Sequence, residues 1–193
     1  EPGTNPAATR FSDVPSGSWY YDAVNYVAEN GYFSGTSASE FSPAANMTRG
    51  MFVTVLGRLA GINASQYTGS SFSDVPAGKY YSAYVQWASS NSIVSGVGGG
   101  KFNPDGQITR EQMAVIMYNY VKFTGADTSA DSSRFDGFSD KASVSAWAKD
   151  AMIWASHTEL INGSNGALNP SGNATRAQVA QIITNFCEKL AQS

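Results

Sequence analysis

Three times along the chain, an apolar stripe with helical spacing gives way to a polar, glycine-bearing stretch and then to a second such stripe. In the first copy Tyr20, Ala23, Val24, Val27 and Ala28 share one face of a helix predicted from about Trp19 to Asn30, with Gly31 as its stop. The counterparts are Tyr81, Tyr84, Val85 and Ala88, then Ala148, Ala151, Met152 and Ala155. A second helix is predicted to start at Thr48, Thr109 or Thr175. Its stripe runs through Phe52, Val55, Leu56 and Leu59, or through Met113, Ile116, Met117 and Tyr120 in the next copy. The roughly fifteen residues between the two helices exceed most connections, which marks them as functional or as pinned by their own apolar anchors.

The register is strict. "FSDVPSGSWY" from Phe11, "FSDVPAGKYY" from Phe72 and "FSDKASVSAW" from Phe138 open units that lie 61 and then 66 residues apart. From the opening Phe to the Thr-Arg pair is 37 residues in every copy, and Phe41-Ser42-Pro43, Phe102-Asn103-Pro104 and Leu168-Asn169-Pro170 recur between. The units are residues 11–61, 72–125 and 138–190, with 1–10 a linker or tail by composition and 126–137 a linker. Such a two-helix unit cannot cover its own apolar faces, so the three are expected to bury them against one another. Open stacking and closure into a pseudo-trimer both satisfy the periodicity.

Charged residues make up 14% of the chain, below the roughly 25% usual for soluble domains, so its surface must lean on neutral polar side chains. A net charge of -3 and the lack of an aromatic-basic motif argue against a nucleic-acid partner. Cys187 is the only cysteine, expected as a small buried hydrophobe of the last helix, and His157 the only histidine. Cysteine-based metal clusters and most histidine-based triads and zinc sites thereby leave contention, and neither a metal nor a cofactor is expected. The acidic turn at Asn103 lacks the carboxylate series of a calcium loop. No run approaches the roughly 18 apolar residues of a membrane span. The chain opens on Glu1 with no signal-peptide pattern, so it is expected to be an excised fragment.

Phe-Ser-Asp-Val-Pro, an aromatic, a first helix, a short apolar pair with Gly, Phe-x-Pro, then Thr-Arg and a second helix together resemble the S-layer homology (SLH) module. The likeness covers residues 11 to about 190 three times over. It implies a mainly helical, all-α fold: three tandem helix-loop-helix repeats closing into a pseudo-threefold, three-lobed domain with a central helical bundle. It also implies a non-catalytic, extracellular module that anchors a bacterial surface protein to the cell wall. The partner implied is a secondary cell-wall polysaccharide, often ending in pyruvylated N-acetylmannosamine.

Thr109 with Gln112 and Thr175 with Gln178 fit capping boxes. The box leaves Arg49, Arg110 and Arg176 unexplained, since each places a cation at the positive end of a helix. Either an anion docks there, held by the guanidinium and free helix-end amides, or the arginine braces Asp13, Asp74 or Asp140 of a neighbouring repeat. Tyr26, Trp87 and Trp154 each precede a glycine, Gly35, Gly96 or Gly163, by nine residues. They read as sugar platforms beside open backbone, or as core aromatics before a turn. The resemblance pairs Arg49 with Trp87 and Gly96, Arg110 with Trp154 and Gly163, and Arg176 with Tyr26 and Gly35, in grooves between adjacent repeats. The three aspartates are expected to brace the turn before the first helix, and Trp19, Tyr80 and Trp147 to lie in the core. The first repeat departs from the pattern at Gly50 and Met51, so its site is expected to be looser or remodelled for a different sugar. A lattice self-association module and a wall-glycan hydrolase are the alternative functions.

Overall fold

A computed structural model describes residues 11–189; the tail at 1–10 and the end of the third unit lie outside the described residues. The helices are α1 (Tyr21–Glu29), α2 (Arg49–Leu59), α3 (Ser82–Ser90), α4 (Arg110–Thr124), α5 (Ser133–Asp136), α6 (Lys149–His157) and α7 (Arg176–Lys189). Each repeat contributes the two helices that its stripes predict. Among the described residues there is no strand, only isolated bridges. None of the described helices is long and apolar enough to cross a membrane. The stretch at 126–137 is more than a linker, because α5 forms within it, buries Phe135 and packs on α6.

The helices pair across repeats. α2 packs on α3, α4 on α6, and α7 returns to α1, so the apolar faces are covered in the cyclic order 1 to 2 to 3 to 1. A first helix of nine residues is about 13 Å long, too short to be stable alone, and it takes its stability from the neighbour's longer helix. Backbone bonds follow the same circuit. The Met47 N–H donates to the Ala174 carbonyl (2.9 Å), Ala174 N–H to Ile108 (3.0 Å) and Ile108 N–H to Met47 (3.0 Å), which closes a ring of three residues whose side chains are fully buried.

Each second helix then starts against the next repeat. The Arg49 and Gly50 amides donate to the carbonyls of Gly106 (2.9 Å) and Pro104 (2.8 Å), those of Arg110 and Glu111 to Gly172 (2.9 Å) and Pro170 (3.0 Å), and those of Arg176 and Ala177 to Ala45 (2.9 Å) and Pro43 (3.0 Å). Thr48, Thr109 and Thr175 accept the next amide along, and the boxes at Gln112 and Gln178 also take the threonine amides. The helix ends that could have met an anion are saturated. Gly50 belongs to this fit, because a Cβ there would lie 3.0 Å from both the Pro104 carbonyl oxygen and the Tyr81 ring.

A chain ended after Gly125 lacks α6, α7 and the Ala174 link. It is expected to keep part of its helical circular dichroism but to lose a cooperative urea transition; a sharp two-state transition would show that the ring is dispensable.

Candidate functional site

The Phe-x-Pro segments bring together the charges repeated in register. Asp74 accepts the amides of Phe102 and Asn103, both at 2.8 Å, while Arg49 Nε donates to the Phe102 carbonyl at 2.9 Å. The peptide between residues 102 and 103 therefore has a carboxylate at its N–H and a guanidinium at its C=O. Asp13 holds Phe41 (2.8 Å) and Ser42 (2.7 Å) with Arg176 Nε on the Phe41 carbonyl (2.8 Å). Asp140 holds Leu168 and Asn169 (2.7 Å each) with Arg110 Nε on the Leu168 carbonyl (2.8 Å). The middle residue is left-handed each time, with φ of 58° at Ser42, 58° at Asn103 and 50° at Asn169. The proline that follows disfavours the right-handed helical alternative there.

The aspartates thus brace the Phe-x-Pro loop of their own repeat, and the arginines come from the preceding one. Arg49 and Arg176 are only 5% exposed, and their guanidinium carbons lie 4.6 Å over Phe102 and 4.7 Å over Phe41. Arg110 meets Leu168 instead of a phenylalanine and stays half-buried. Burial pushes all three guanidinium groups below their ordinary value, opposed by the Asp74, Asp140 or Asp13 charge beyond the shared peptide. None makes an ion pair with those aspartates among the described residues. A guanidinium has five N–H donors. Arg49 commits Nε and, to the Ser95 carbonyl at 3.4 Å, Nη2; Arg176 commits Nε and, to Ser34, Nη2; Arg110 commits Nε. Two carbonyls thus hold the first repeat's arginine and one holds Arg110.

Arg49 and Arg110 each line a hollow. A groove of about 490 Å³ is lined by Arg49 of repeat 1, by Val94, Ser95 and Gly96 and the α4 residues Gln112 and Asn119 of repeat 2, and by Trp147 of repeat 3. A second, of about 520 Å³, is lined by Arg110 of repeat 2, by Asn162, Gly163 and Ser164 and the α7 residues Gln178, Gln181 and Asn185 of repeat 3, and by Trp19 of repeat 1. Both volumes suit a small ligand. Among the described residues no group of His, Cys, Asp and Glu could hold a metal ion.

Arg49 and Gly96 line one of these hollows and Arg110 and Gly163 the other, and Arg176 reaches the loop before Gly35. The aromatics paired with them line neither hollow. Trp87 and Trp154 are 2% and 1% exposed, packed on Tyr120 and Tyr118 at 6.2 and 5.6 Å, so they are core residues and offer no sugar platform. Tyr26 is half-buried beside Tyr32, and hydrogen bonding with the Cys187 thiol, with burial, pushes its phenol up to about 12. The glycines answer to packing as well. A Cβ on Gly96 would lie 2.5 Å from the Lys101 carbonyl oxygen and 2.9 Å from the Phe72 ring, and one on Gly163 2.6 Å from both the Ala167 oxygen and the Phe138 ring. Gly35 meets Phe11 in the same way.

Trp19, Tyr80 and Trp147, expected in the core, are instead 64%, 55% and 60% exposed. Extending the helical wheel backwards sets Trp19 above Ala23, but α1 starts only at Tyr21, and the preceding turn aims the ring outward. The signal that could have found it is the Gly-Ser or Gly-Lys pair immediately before each aromatic in the first two repeats, which breaks the helix there.

Residues 10–50, 71–114 and 137–180 each match the family model described as the S-layer homology domain. An endoglucanase of Bacillus sp. (strain KSM-635) is 34% identical over 182 residues, 94% of this chain and 19% of that protein. An amylopullulanase of Thermoanaerobacterium thermosulfurigenes is 32% identical over 188 residues, 93% of this chain and 10% of that protein. The S-layer protein sap of Bacillus anthracis is 26% identical over 177 residues, 92% of this chain and 21% of that protein. The chain spans about a fifth or less of the length of these relatives.

Burial opposes ionisation of Asp74, but the amides of Phe102 and Asn103, its own amide and Lys101 outweigh it and hold the carboxyl below the usual range. The stability this contributes is present above the unfolded value and is lost as pH falls through the depressed native one. The denaturant midpoint is therefore expected to fall below about pH 4, and Asp74→Asn to flatten that dependence. Asp74→Ala is expected to cost about 2–3 kcal/mol at neutral pH, because two amides lose a charged acceptor.

Proposed function

Because this chain belongs to the S-layer homology domain family and is a cell-surface anchoring module, we propose that it holds a surface protein to an anionic secondary cell-wall polysaccharide without catalysing any reaction. The ligand is a glycan bearing pyruvylated N-acetylmannosamine, bound in the grooves between repeats. The observation that supports this reading most directly is the composition of the two grooves. Each joins an arginine with uncommitted N–H donors, a short run of accessible backbone, amide side chains and an exposed tryptophan, contributed by all three repeats.

That set matches the proposed ligand group by group. A ketal-linked pyruvate carboxylate takes the free guanidinium edge, which is already fixed by its bond to the Phe-x-Pro carbonyl and loses little freedom on binding. Gln112 and Asn119, or Gln178 and Asn185, answer hydroxyl and N-acetyl groups with neutral donors and acceptors. The C–H face of a sugar packs on Trp147 or Trp19. Neither groove is lined by a carboxylate, so an acid pair for glycoside hydrolysis has no members there. Protein and ligand share the sign of their net charge, so recognition is local. Two or three grooves on one body raise the overall affinity when a polymer reaches more than one.

Pelleting with purified wall sacculi tests the reading: native sacculi are expected to carry the protein down, and sacculi stripped of pyruvate by mild acid are expected not to. Equal pelleting would overturn carboxylate recognition. The combined variant Trp19→Ala, Tyr80→Ala and Trp147→Ala is expected to weaken sacculus binding at least about tenfold while the melting temperature stays within a few degrees, since the three rings are exposed. Arg49→Ala is expected to lower binding and stability together, because it also removes the contact to Phe102.

A further inference from the structure

At the junction of repeats 3 and 1 the repeat register sets the residues equivalent to the lining of the other two grooves, and they differ in kind. The positions held by Gln112 and Asn119 on α4, and by Gln178 and Asn185 on α7, are held by Met51 and Arg58 on α2. Arg58 sits where its counterpart sits: its Nη1 donates to the Tyr32 carbonyl at 3.4 Å, as Asn119 Nδ2 donates to the equivalent Ile93 carbonyl at 3.2 Å. Arg176 approaches the same loop from repeat 3 and donates to Ser34. Two guanidinium groups thus converge on carbonyls two residues apart, within about 7 Å along an extended chain. Arg58 is exposed and makes no ion pair among the described residues. The neutral amide lost at Met51 and the cation gained at Arg58 move this junction from hydrogen-bonding capacity toward charge. A cation is favourable in the last turn of any helix, which accounts for a positive residue there but not for the accompanying methionine.

We infer that the groove between repeats 3 and 1 selects a doubly anionic saccharide, one whose second acidic group lies in reach of Arg58, whereas the two amide-lined grooves take singly charged units. This rests on the reading of the grooves as glycan sites. The test uses two synthetic methyl disaccharides, each with pyruvylated N-acetylmannosamine, the partner sugar being glucose in one and glucuronic acid in the other. Titrated against nitrogen-15-labelled protein, the Ser34 amide reports the third groove and the Ser95 amide the first.

At Ser34 the diacid is expected to bind about fivefold more tightly than the monoacid, the scale of one exposed ion pair, and the preference is expected to shrink with added salt. At Ser95 the two should bind alike. Arg58→Asn is expected to abolish the preference at Ser34, and Asn119→Arg to create one at Ser95. Equal affinities at Ser34 in the unaltered protein, or a preference that survives Arg58→Asn, would overturn the inference and leave the glycan reading standing. If neither disaccharide shifts an amide in any groove, both readings fall.

Discussion

The fold depends on one peptide unit held from both ends. Asp74 takes the N–H of the 102–103 peptide and Arg49 the C=O, and the same grip recurs with Asp13 and Arg176 and with Asp140 and Arg110. A peptide dipole between opposite charges is polarised, and both bonds gain from it in a setting of low dielectric. The carboxylate comes from the repeat that owns the loop and the guanidinium from the repeat before it. One interaction therefore shapes the loop, fixes the junction between repeats and, at Arg49 and Arg110, leaves the arginine at the edge of a hollow.

That arrangement resolves the cost of placing a cation at a helix start. The helix-end amides that would repel it are spent on carbonyls of the next repeat, and the carbonyl of the Phe-x-Pro segment meets the charge itself. Packing over Phe102 or Phe41 supplies a further favourable contact for two of the three arginines. What remains of each guanidinium is a rigid polar edge, and rigidity suits a receptor for a ligand that gains no help from long-range attraction to an acidic protein.

Much of this was legible in the residues. The stripes at Tyr20 to Ala28 and Phe52 to Leu59, and the boxes at Thr109 and Thr175, express local rules of helix geometry, and they mark the helices to within a residue or two. The pairing of Arg49 with repeat 2 and Arg110 with repeat 3 came only from the family resemblance, since periodicity alone leaves open how the repeats are set side by side. The ring through Met47, Ile108 and Ala174 was not legible, because its bonds are backbone bonds and its side chains share nothing but burial. The burial of the aromatics is, for a related reason, the reverse of that expected. Trp87 looks amphipathic by type, yet it faces Tyr120 from another helix, whereas Trp19 precedes the helix whose wheel seemed to bury it. Tertiary partners and helix start points decide such cases, and neither is written in spacing.

Closure of α7 onto α1 has a mechanical corollary. The outermost helices of the described chain are mates, so a tether fastened to either terminus pulls on the boundary between repeats 3 and 1 before tension reaches the other two. A saccharide spanning Arg176 and the Tyr32–Gly35 loop would lie across that boundary as a clasp, and the attachment would be hardest to prise open where load arrives first.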